Sequence, residues 1–467
     1  LADRIFAFLK NSGFPVFPLP LNDASIYFLT EALFLKKLVQ FCLYYSQSYN
    51  REEVSQVYSL TFLLYRHRMH ILYIHQYLCP PGGAGNNRSF ELAKYWVRSG
   101  HKVTFITSEA YFPKEHSFYD TATYPVLFSI DGIDVYVLDV KYSHLMPFSQ
   151  RVRAFMQFFF KALSLGKKLQ YIDIIYASST PLSIGELGRR LARRLSVPYV
   201  FEAVDVWPDV PIGMGIIKNR WLISWLYHRT RIIYREAAEI VALSEGMKEQ
   251  IVAQGVPSSK VHIIHNGVDI DAISFIERIP KSNVKVLYAG TVGIANDLSQ
   301  LVWAAKYVED KGHTHIHFTI LGGGNDWDTV KTLVEKLRIN NLSFKGFVPK
   351  DEVVVELKDA DIGIVCFAPF KVLEANSANK FYDYLANGLP LVLNYEGWQA
   401  EYIREHVCGL CSPQGDIEGF AENIIKLANN PNMRGLFARN GRKLAERQFS
   451  RSLLAEKILG IFRRVTK

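Results

Sequence analysis

The chain has 467 residues, 49% of them apolar, and a formal charge of +9. That length exceeds one ordinary core and calls for two or more domains, while the charge indicates an anionic partner without choosing among nucleic acid, phosphate-bearing metabolites and an acidic membrane. Five cysteines in so long a chain exclude a disulfide framework and favour a reducing cytoplasm; Cys408 and Cys411 form a lone CxxC that lacks the second pair a zinc site needs, and read as apolar residues of a strand.

Residues 1–68 are aromatic and apolar but follow no settled period. Glu31, Lys36 and Lys37 interrupt their best apolar stretch, which makes a poor membrane span. No basic region, apolar core and small-residue cleavage site occur in order, so no signal peptide is assigned. The first methionine is Met69, directly before a strand candidate, and 1–68 is expected to be an N-terminal extension outside the functional protein.

From Met69 onward, short β-branched runs alternate with helix-length amphipathic stretches. Strands are predicted at 70–75, 102–108, 133–140, 173–178, 198–205, 239–244 and 261–266, with helices such as 89–100, 151–169 and 183–195 between them. After a polar linker at 266–283 the pattern restarts at 284–290, 316–324, 342–348, 360–368 and 389–394. Strands alternating with helices imply βαβ units and a parallel sheet. The expected fold is therefore α/β, with two Rossmann-like doubly wound domains facing across a cleft: 69–265, and 284–467 with its last helix packing back on the first domain. In such sheets ligands bind beyond the strand C-termini.

The loop after the first strand is rich in glycine, which lets backbone N–H groups approach a phosphate. The run from Gly83 to Arg88 nearly meets the dinucleotide fingerprint GxGxxG but ends in arginine, and Glu109 follows the second strand where a ribose-binding acid would stand. An NAD-binding reading stays open on these residues. Three further glycine turns follow strands in the second half, at 288–293, 321–324 and 345–348. A helix then opens at NSANKFYDYLANGLP (376–390), with Gly388 and Pro390 stopping it. Lys380 stands near the end where free N–H groups already carry partial positive charge, and Asp383 lies one turn on. Together these outline a nucleotide pocket: backbone for the base, Asp383 for the ribose, Lys380 and the helix N-terminus for a diphosphate. A solvated surface lysine is the plainer alternative. Asp205, at a strand end, is a candidate for activating a hydroxyl, against a plainer role capping the turn before Pro208. The acid pairs Asp269/Asp271 and Asp326/Asp328 are not read as metal sites, since neither ends a strand.

The stretches PPGGAGNNRSFELAKYWVRSGHKVTFITS, FEAVDVWPD, VALSEGMKEQIVAQGVPSSKVHIIHNGVD, YAGTVG, LSFKGFVP and NSANKFYDYLANGLPLV, in that order, resemble the GT-B glycosyltransferases of family 4. Within that family they are most similar to the bacterial surface-polysaccharide enzymes that include L-fucosamine transferases. The resemblance implies a nucleotide-sugar donor held mainly by the second domain, an acceptor held mainly by the first, retention of anomeric configuration, and no required cofactor or metal. Carried onto this chain, Asp383 matches the second acid of the family's paired-glutamate motif, Lys380 a phosphate-binding lysine, Gly290, Thr291 and Gly293 the diphosphate loop, and Phe347 and Val348 the loop that meets the base. Gly83, Asn266, Gly267, Ser377 and Asn379 complete the donor-side candidates; Gly82, Arg88 and Asp205 are the acceptor-side ones. Three positions depart from the family. The first acid should stand eight residues before Asp383, where the chain has Ala375 with Glu374 beside it; TVGIAND lacks the usual arginine and lysine; and Val204 replaces an arginine.

The expectation is thus a retaining transferase with Lys380, Asp205 and Glu374 as catalytic candidates, moving a sugar from a UDP-linked donor to a lipid-linked saccharide acceptor in surface polysaccharide synthesis. It would be cytoplasmic and peripheral on the inner face of the cytoplasmic membrane, with the basic stretches 151–168 and 188–194 against anionic lipid and no nucleic-acid partner. An NAD-dependent oxidoreductase or nucleotide-sugar epimerase, and an inactive donor-binding relic, are the alternatives.

Overall fold

In the computed structural model the residues described are 68–80, 83, 87–112, 123–143, 146–277, 281–348 and 350–467; the expected extension at 1–68 lies, but for Arg68, outside them. The β-branched runs of the first half form an eight-stranded sheet. Its strands are β1 (His70–Ile74), β2 (Lys102–Ser108), β3 (Val126–Ile130), β4 (Ile133–Leu138), β5 (Ile174–Ser178), β6 (Tyr199–Ala203), β7 (Glu239–Ala242) and β8 (Val261–Ile263), ordered β3-β4-β2-β1-β5-β6-β7-β8. Every residue of β5 and β6 is buried, as parallel strands covered on both faces require. Only β3 runs antiparallel, in a hairpin with β4 whose two loop residues, Asp131 and Gly132, both have positive φ. That is the turn geometry whose twist matches paired strands. β3 is not among the runs read from the sequence.

Residues 284–411 supply the second sheet: β9 (Val284–Ala289), β10 (Ile316–Leu321), β11 (Leu342–Gly346), β12 (Ile362–Val365), β13 (Leu391–Leu393) and β14 (Gly409–Cys411), all parallel and ordered β11-β10-β9-β12-β13-β14. The expectation of two doubly wound α/β domains holds. In the second sheet the order reverses between β9 and β12, which opens a crevice at the end of β9.

Helices α1 (Arg88–Arg98), α2 (Phe148–Gly166), α3 (Ser183–Leu195), α4 (Asp209–Gly213), α5 (Arg220–Glu236) and α6 (Glu245–Ala253) belong to the first half. Side chains of α2, α3, α5 and α6 share one core with β5 and β6. Gly185 and Gly188 let α3 sit close on the sheet, since a Cβ on either would fall within 2.8 Å of Phe201 or Ala177. The second half carries α7 (Ser299–Asp310), α8 (Trp327–Leu337), α9 (Lys350–Asp359), α10 (Asn379–Ala386), α11 (Trp398–Glu405), α12 (Ile417–Ala428), α13 (Pro431–Gln448) and α14 (Arg451–Val465). α14 lies on α1: Trp96 Nε1 donates to the Ala455 carbonyl at 3.1 Å, and Phe462 joins the core of Tyr73 and Trp96.

The two sheets meet through a 3-10 turn, Lys371–Ala375, which touches α4 and α6. Ser244 Oγ, the N-cap of α6, donates to the Ala375 carbonyl at 2.5 Å, and Tyr402 Oη donates to Glu245 at 3.1 Å. Just before the linker, His265 stacks on Trp398 with ring centroids 4.9 Å apart. These contacts fix where the β9 crevice stands relative to the first domain.

Candidate functional site

The second-domain rim is built from its three glycine turns. Gly290 N donates to Leu321 O at 2.8 Å, Val292 N to Gly323 O at 2.9 Å, and Gly322 N to Gly346 O at 2.8 Å. A Cβ on Gly322 would lie 2.0 Å from Gly290 O, and one on Gly324 2.2 Å from Val292 O, so only glycine allows the turns after β9 and β10 to approach backbone to backbone. Thr291 is exposed and Gly293 half-buried on this rim. Beside them Phe347 is 83% exposed, its ring laid against Gly323, and Val348 is half-buried.

Lys380, in the first turn of α10, reaches back over this rim. Its Nζ donates to Tyr288 Oη at 3.2 Å and Asn296 Oδ1 at 3.5 Å, and lies 4.6 Å from the centroid of the Tyr288 ring. Gly290 makes room for it: a Cβ there would fall 2.8 Å from Lys380 Cε. Burial pushes the Lys380 amine from 10.5 down to about 8, against the pull of Cys366 and Asp383. Tyr288 is fully buried and gives its own proton to the Thr291 carbonyl at 2.6 Å, so its oxygen is left to accept from the lysine. Tyr384 holds the helix to β9, its Oη accepting from Ala289 N at 2.8 Å. Asp383 is half-buried one turn beyond Lys380. A desolvated ammonium, the N-terminal end of α10 and the glycine turns meet at the sheet's switch point, an arrangement suited to a multiply charged anion.

The other second-domain candidates and those of the linker lie around this rim and the interdomain turn. Glu374 pairs with Lys371 at 2.6 Å. Ala375 is buried, and its Cβ lies 2.9 Å from where a Cβ on Gly246 would stand. Asn266 Nδ2 donates to the Ser377 carbonyl at 2.9 Å, Ser377 Oγ lies 2.7 Å from Tyr382 Oη, and Asn266 Oδ1 is buried without a hydrogen-bond partner. Gly267, with φ of 68°, turns the linker against Leu454 and the Phe449 carbonyl. Asn379 is exposed at the start of α10.

In the first domain the structure places Arg88 inside the protein. Its Nε and Nη2 donate to Glu202 Oε1 at 3.1 and 2.8 Å, and its Nη1 to the carbonyls of His265 and Asn266 at 2.6 and 2.7 Å. Burial alone would raise the Glu202 carboxyl; the Arg88 charge and the Ser178 hydroxyl outweigh it and hold it below the ordinary value. Arg88 thus ties β6 to the linker. Gly83 N donates to Pro80 O at 3.0 Å, and Gly82 lies outside the described residues, as do Gly85 and Asn86. Glu109 accepts from Tyr124 Oη at 2.9 Å. Asp205 stands after β6 with its carboxyl raised by burial, opposed by the Thr180 hydroxyl that donates to it at 2.9 Å. His75 is driven down to about 4 by burial and is neutral at pH 7. Tyr288, Asn296 and the Arg88–Glu202 pair were not singled out together by sequence reasoning. Tyr288 alone had a signal, a tyrosine directly before a glycine turn. Among the described residues no group of three or more His, Cys, Asp or Glu is placed to hold a metal ion, and no helix is long and apolar enough to cross a membrane.

Comparison with known proteins gives a match to the glycosyl transferase 4-like domain over residues 83–267 and to the glycosyl transferases group 1 domain over 269–444. An uncharacterized glycosyltransferase of Methanocaldococcus jannaschii is 24% identical over 53% of this chain and 64% of its own length. The amylovoran biosynthesis glycosyltransferase AmsK of Erwinia amylovora is 21% identical over 40% of this chain; the match spans 47%, about half, of that relative. A capsular polysaccharide biosynthesis glycosyltransferase of Staphylococcus aureus, CapM, is 19% identical over 72% of this chain and 88% of its own. Among solved structures, sucrose-phosphate synthase of Thermosynechococcus elongatus superposes with a TM-score of 0.67 at 15% identity, covering 85% of this chain and 99% of that one. HepE of Anabaena, solved with UDP and glucose, gives 0.62 at 15% identity over 85% of this chain and 100% of that one. These likenesses show the GT-B fold. Both matched domains are glycosyltransferase domains, and the oxidoreductase reading of the 83–88 loop is not carried further.

Proposed function

We propose that this chain, a glycosyl transferase 4-like domain followed by a glycosyl transferases group 1 domain on the GT-B fold, is a retaining glycosyltransferase. It takes a sugar from a UDP-linked donor and places it on a lipid-linked saccharide in surface polysaccharide synthesis, at the inner face of the cytoplasmic membrane. The observation that carries the reading is the half-buried Lys380 ammonium set over the glycine rim at the N-terminus of α10. A donor diphosphate there would meet one full charge, backbone N–H groups and the helix dipole at once. The leaving diphosphate gains negative charge in the transition state, and preorganised donors act most strongly on charge that develops during reaction. Phe347, exposed beside Gly323, offers a face for the base, and Asp383 a carboxylate for the ribose. Asp205 would orient the acceptor hydroxyl from the first-domain side. No cofactor or metal enters this scheme. AmsK and CapM are named for amylovoran and capsular polysaccharide biosynthesis, and HepE was solved with UDP and glucose, which supports the donor and pathway class.

Saturation-transfer NMR with UDP, GDP and NAD tests the donor, and turnover of a UDP-sugar panel in the presence of membrane extract tests the reaction. Preferential binding of UDP with UDP release upholds the proposal. Preferential NAD binding ends it, and UDP binding without turnover marks a donor-binding relic.

A further inference from the structure

The first domain exposes two tryptophans and two aliphatic side chains within one short segment. Trp221 is 87% exposed, Ile216 59%, Trp225 57% and Leu222 44%. They belong to the approach to α5 and its first two turns. The helix begins cleanly, with Asn219 Oδ1 accepting from Leu222 N at 3.0 Å, yet its only fully buried residues are Thr230, Ile233 and Tyr234, all in the second half. The first half of the helix therefore packs on one side only, through half-buried Ile223, Leu226 and Tyr227, and projects from its other side two tryptophans that the core does not use.

Along this segment of the chain charge is of one sign. From Val210 through Arg235 the chain contains no aspartate or glutamate, while Lys218 and Arg220 flank the tryptophans and are exposed. The acids at its two ends are turned to internal partners: Asp209 accepts from Tyr227 and Gln254, and Glu236 from Arg189 and Arg193. The position within the fold is equally specific. α4 packs against the second domain, with Gly213 beside Val372, and Ile216 follows three residues later. The projection therefore stands next to the interdomain contact, in the segment that begins at Asp205.

We infer that the projecting half of α5, with Ile216, is an interfacial anchor that seats this end of the cleft on an anionic phospholipid surface. Indole rings favour the boundary where one edge is apolar and the other wet, and flanking cations add attraction to acidic headgroups. A second copy of the chain is a poor occupant, because a two-fold interface would bring two acid-free basic faces together. The basic stretch 188–194 serves less well, since Arg189, Arg190 and Arg193 pair with Glu186 and Glu236. The purpose of the anchor, delivery of a lipid-borne acceptor, rests on the proposed function; the surface itself rests on exposure and charge.

Flotation of the full chain with vesicles of phosphatidylcholine, alone or mixed equally with phosphatidylglycerol, tests it. The protein is expected to float with the anionic vesicles, and the Trp221→Ser/Trp225→Ser variant to need at least about tenfold more lipid. Lys218→Gln/Arg220→Gln should weaken only binding to the anionic vesicles, by roughly fivefold per charge. Both variants should keep the thermal midpoint and UDP affinity, because the altered side chains are exposed. Unchanged flotation of the tryptophan variant overturns the inference, as does a parent protein that floats with neither vesicle. Sedimentation as a dimer that the tryptophan substitutions dissociate would overturn it in favour of a self-association face. UDP binding measured on the same samples separates the readings: vesicle binding without UDP binding sinks the proposed donor and leaves the anchor standing.

Discussion

Replacing Lys380 by methionine separates function from stability at the centre of the site. The amine falls from 10.5 to about 8 because burial strips water from it. At about 1.4 kcal/mol per unit, and allowing for partial solvent contact, holding the ammonium there costs the folded protein about 2–3 kcal/mol at neutral pH. The sign follows from the two states. Below about pH 8 the amine is charged in both the folded and unfolded chains and the whole cost is present; as pH rises toward 10.5 it vanishes, because the folded amine is neutral first. Methionine fills similar space without charge, and Tyr288 keeps its bond to the Thr291 carbonyl. Lys380→Met should therefore stabilise the protein by up to about 2 kcal/mol at pH 7, with the gap closing by pH 10. The same change should weaken UDP binding by about 1.5–3 kcal/mol, one charge-assisted hydrogen bond, and lower turnover by roughly 10²–10³. Thermal melts from pH 7 to 10, titration calorimetry with UDP and a UDP-release assay measure all three. A variant that binds UDP as tightly as the parent, or that is less stable at every pH, would show the lysine to be a structural tie and refute the reasoning.

Other substitutions probe the remaining elements. Ala375→Glu restores the acid that the family pattern places there, but the site is closed by Gly246 and Ser244; overpacking should destabilise by about 1–3 kcal/mol and lower kcat/KM, and a gain of activity would contradict this. Glu202→Gln leaves the Arg88 guanidinium buried without its counter-charge, and chemical denaturation should show a loss of about 3–5 kcal/mol; a loss under 1 kcal/mol would mean the carboxylate is not the partner that matters. Asp205→Asn preserves an acceptor for the Thr180 hydroxyl, so folding and UDP affinity should stay as they are while kcat drops about 10²–10⁴-fold. In the parent, kcat should decline as acidification protonates Asp205, at a higher pH than for an ordinary carboxylate because burial raises it. An unaltered kcat in the asparagine variant would remove Asp205 from the reaction.

Much of this molecule is legible along the chain, because parallel strands buried on both faces must be continuous apolar runs and the helices between them must be amphipathic. That logic located β1, β2 and β4 to β13, the strand reading of Cys408 and Cys411 marked β14, and it failed at β3. Residues 126–130 alternate between half-buried and exposed on the sheet's antiparallel edge, so the apolar run is broken, and the Asp131-Gly132 turn was its only strong local mark. The 380/383 spacing was also local, one helical turn, and could be read directly.

What the sequence determined by itself is therefore whatever depends on near neighbours: strand and helix periods, glycine turns, and a lysine at the positive end of a helix. Tertiary structure decided the rest. Arg88 was an acceptor candidate when read beside its glycine loop; its partner Glu202 stands 114 positions away, and their pairing puts the guanidinium in the interior. Ala375 was a missing acid when read against Asp383; Ser244, 131 positions upstream, shows it to be a packed contact between the two domains. The amine of Lys380 became distinctive only when Tyr288 and Asn296 were folded beneath it. Burial and ion pairing are set by whichever residues the fold brings within a few ångströms, and no local period records that distance.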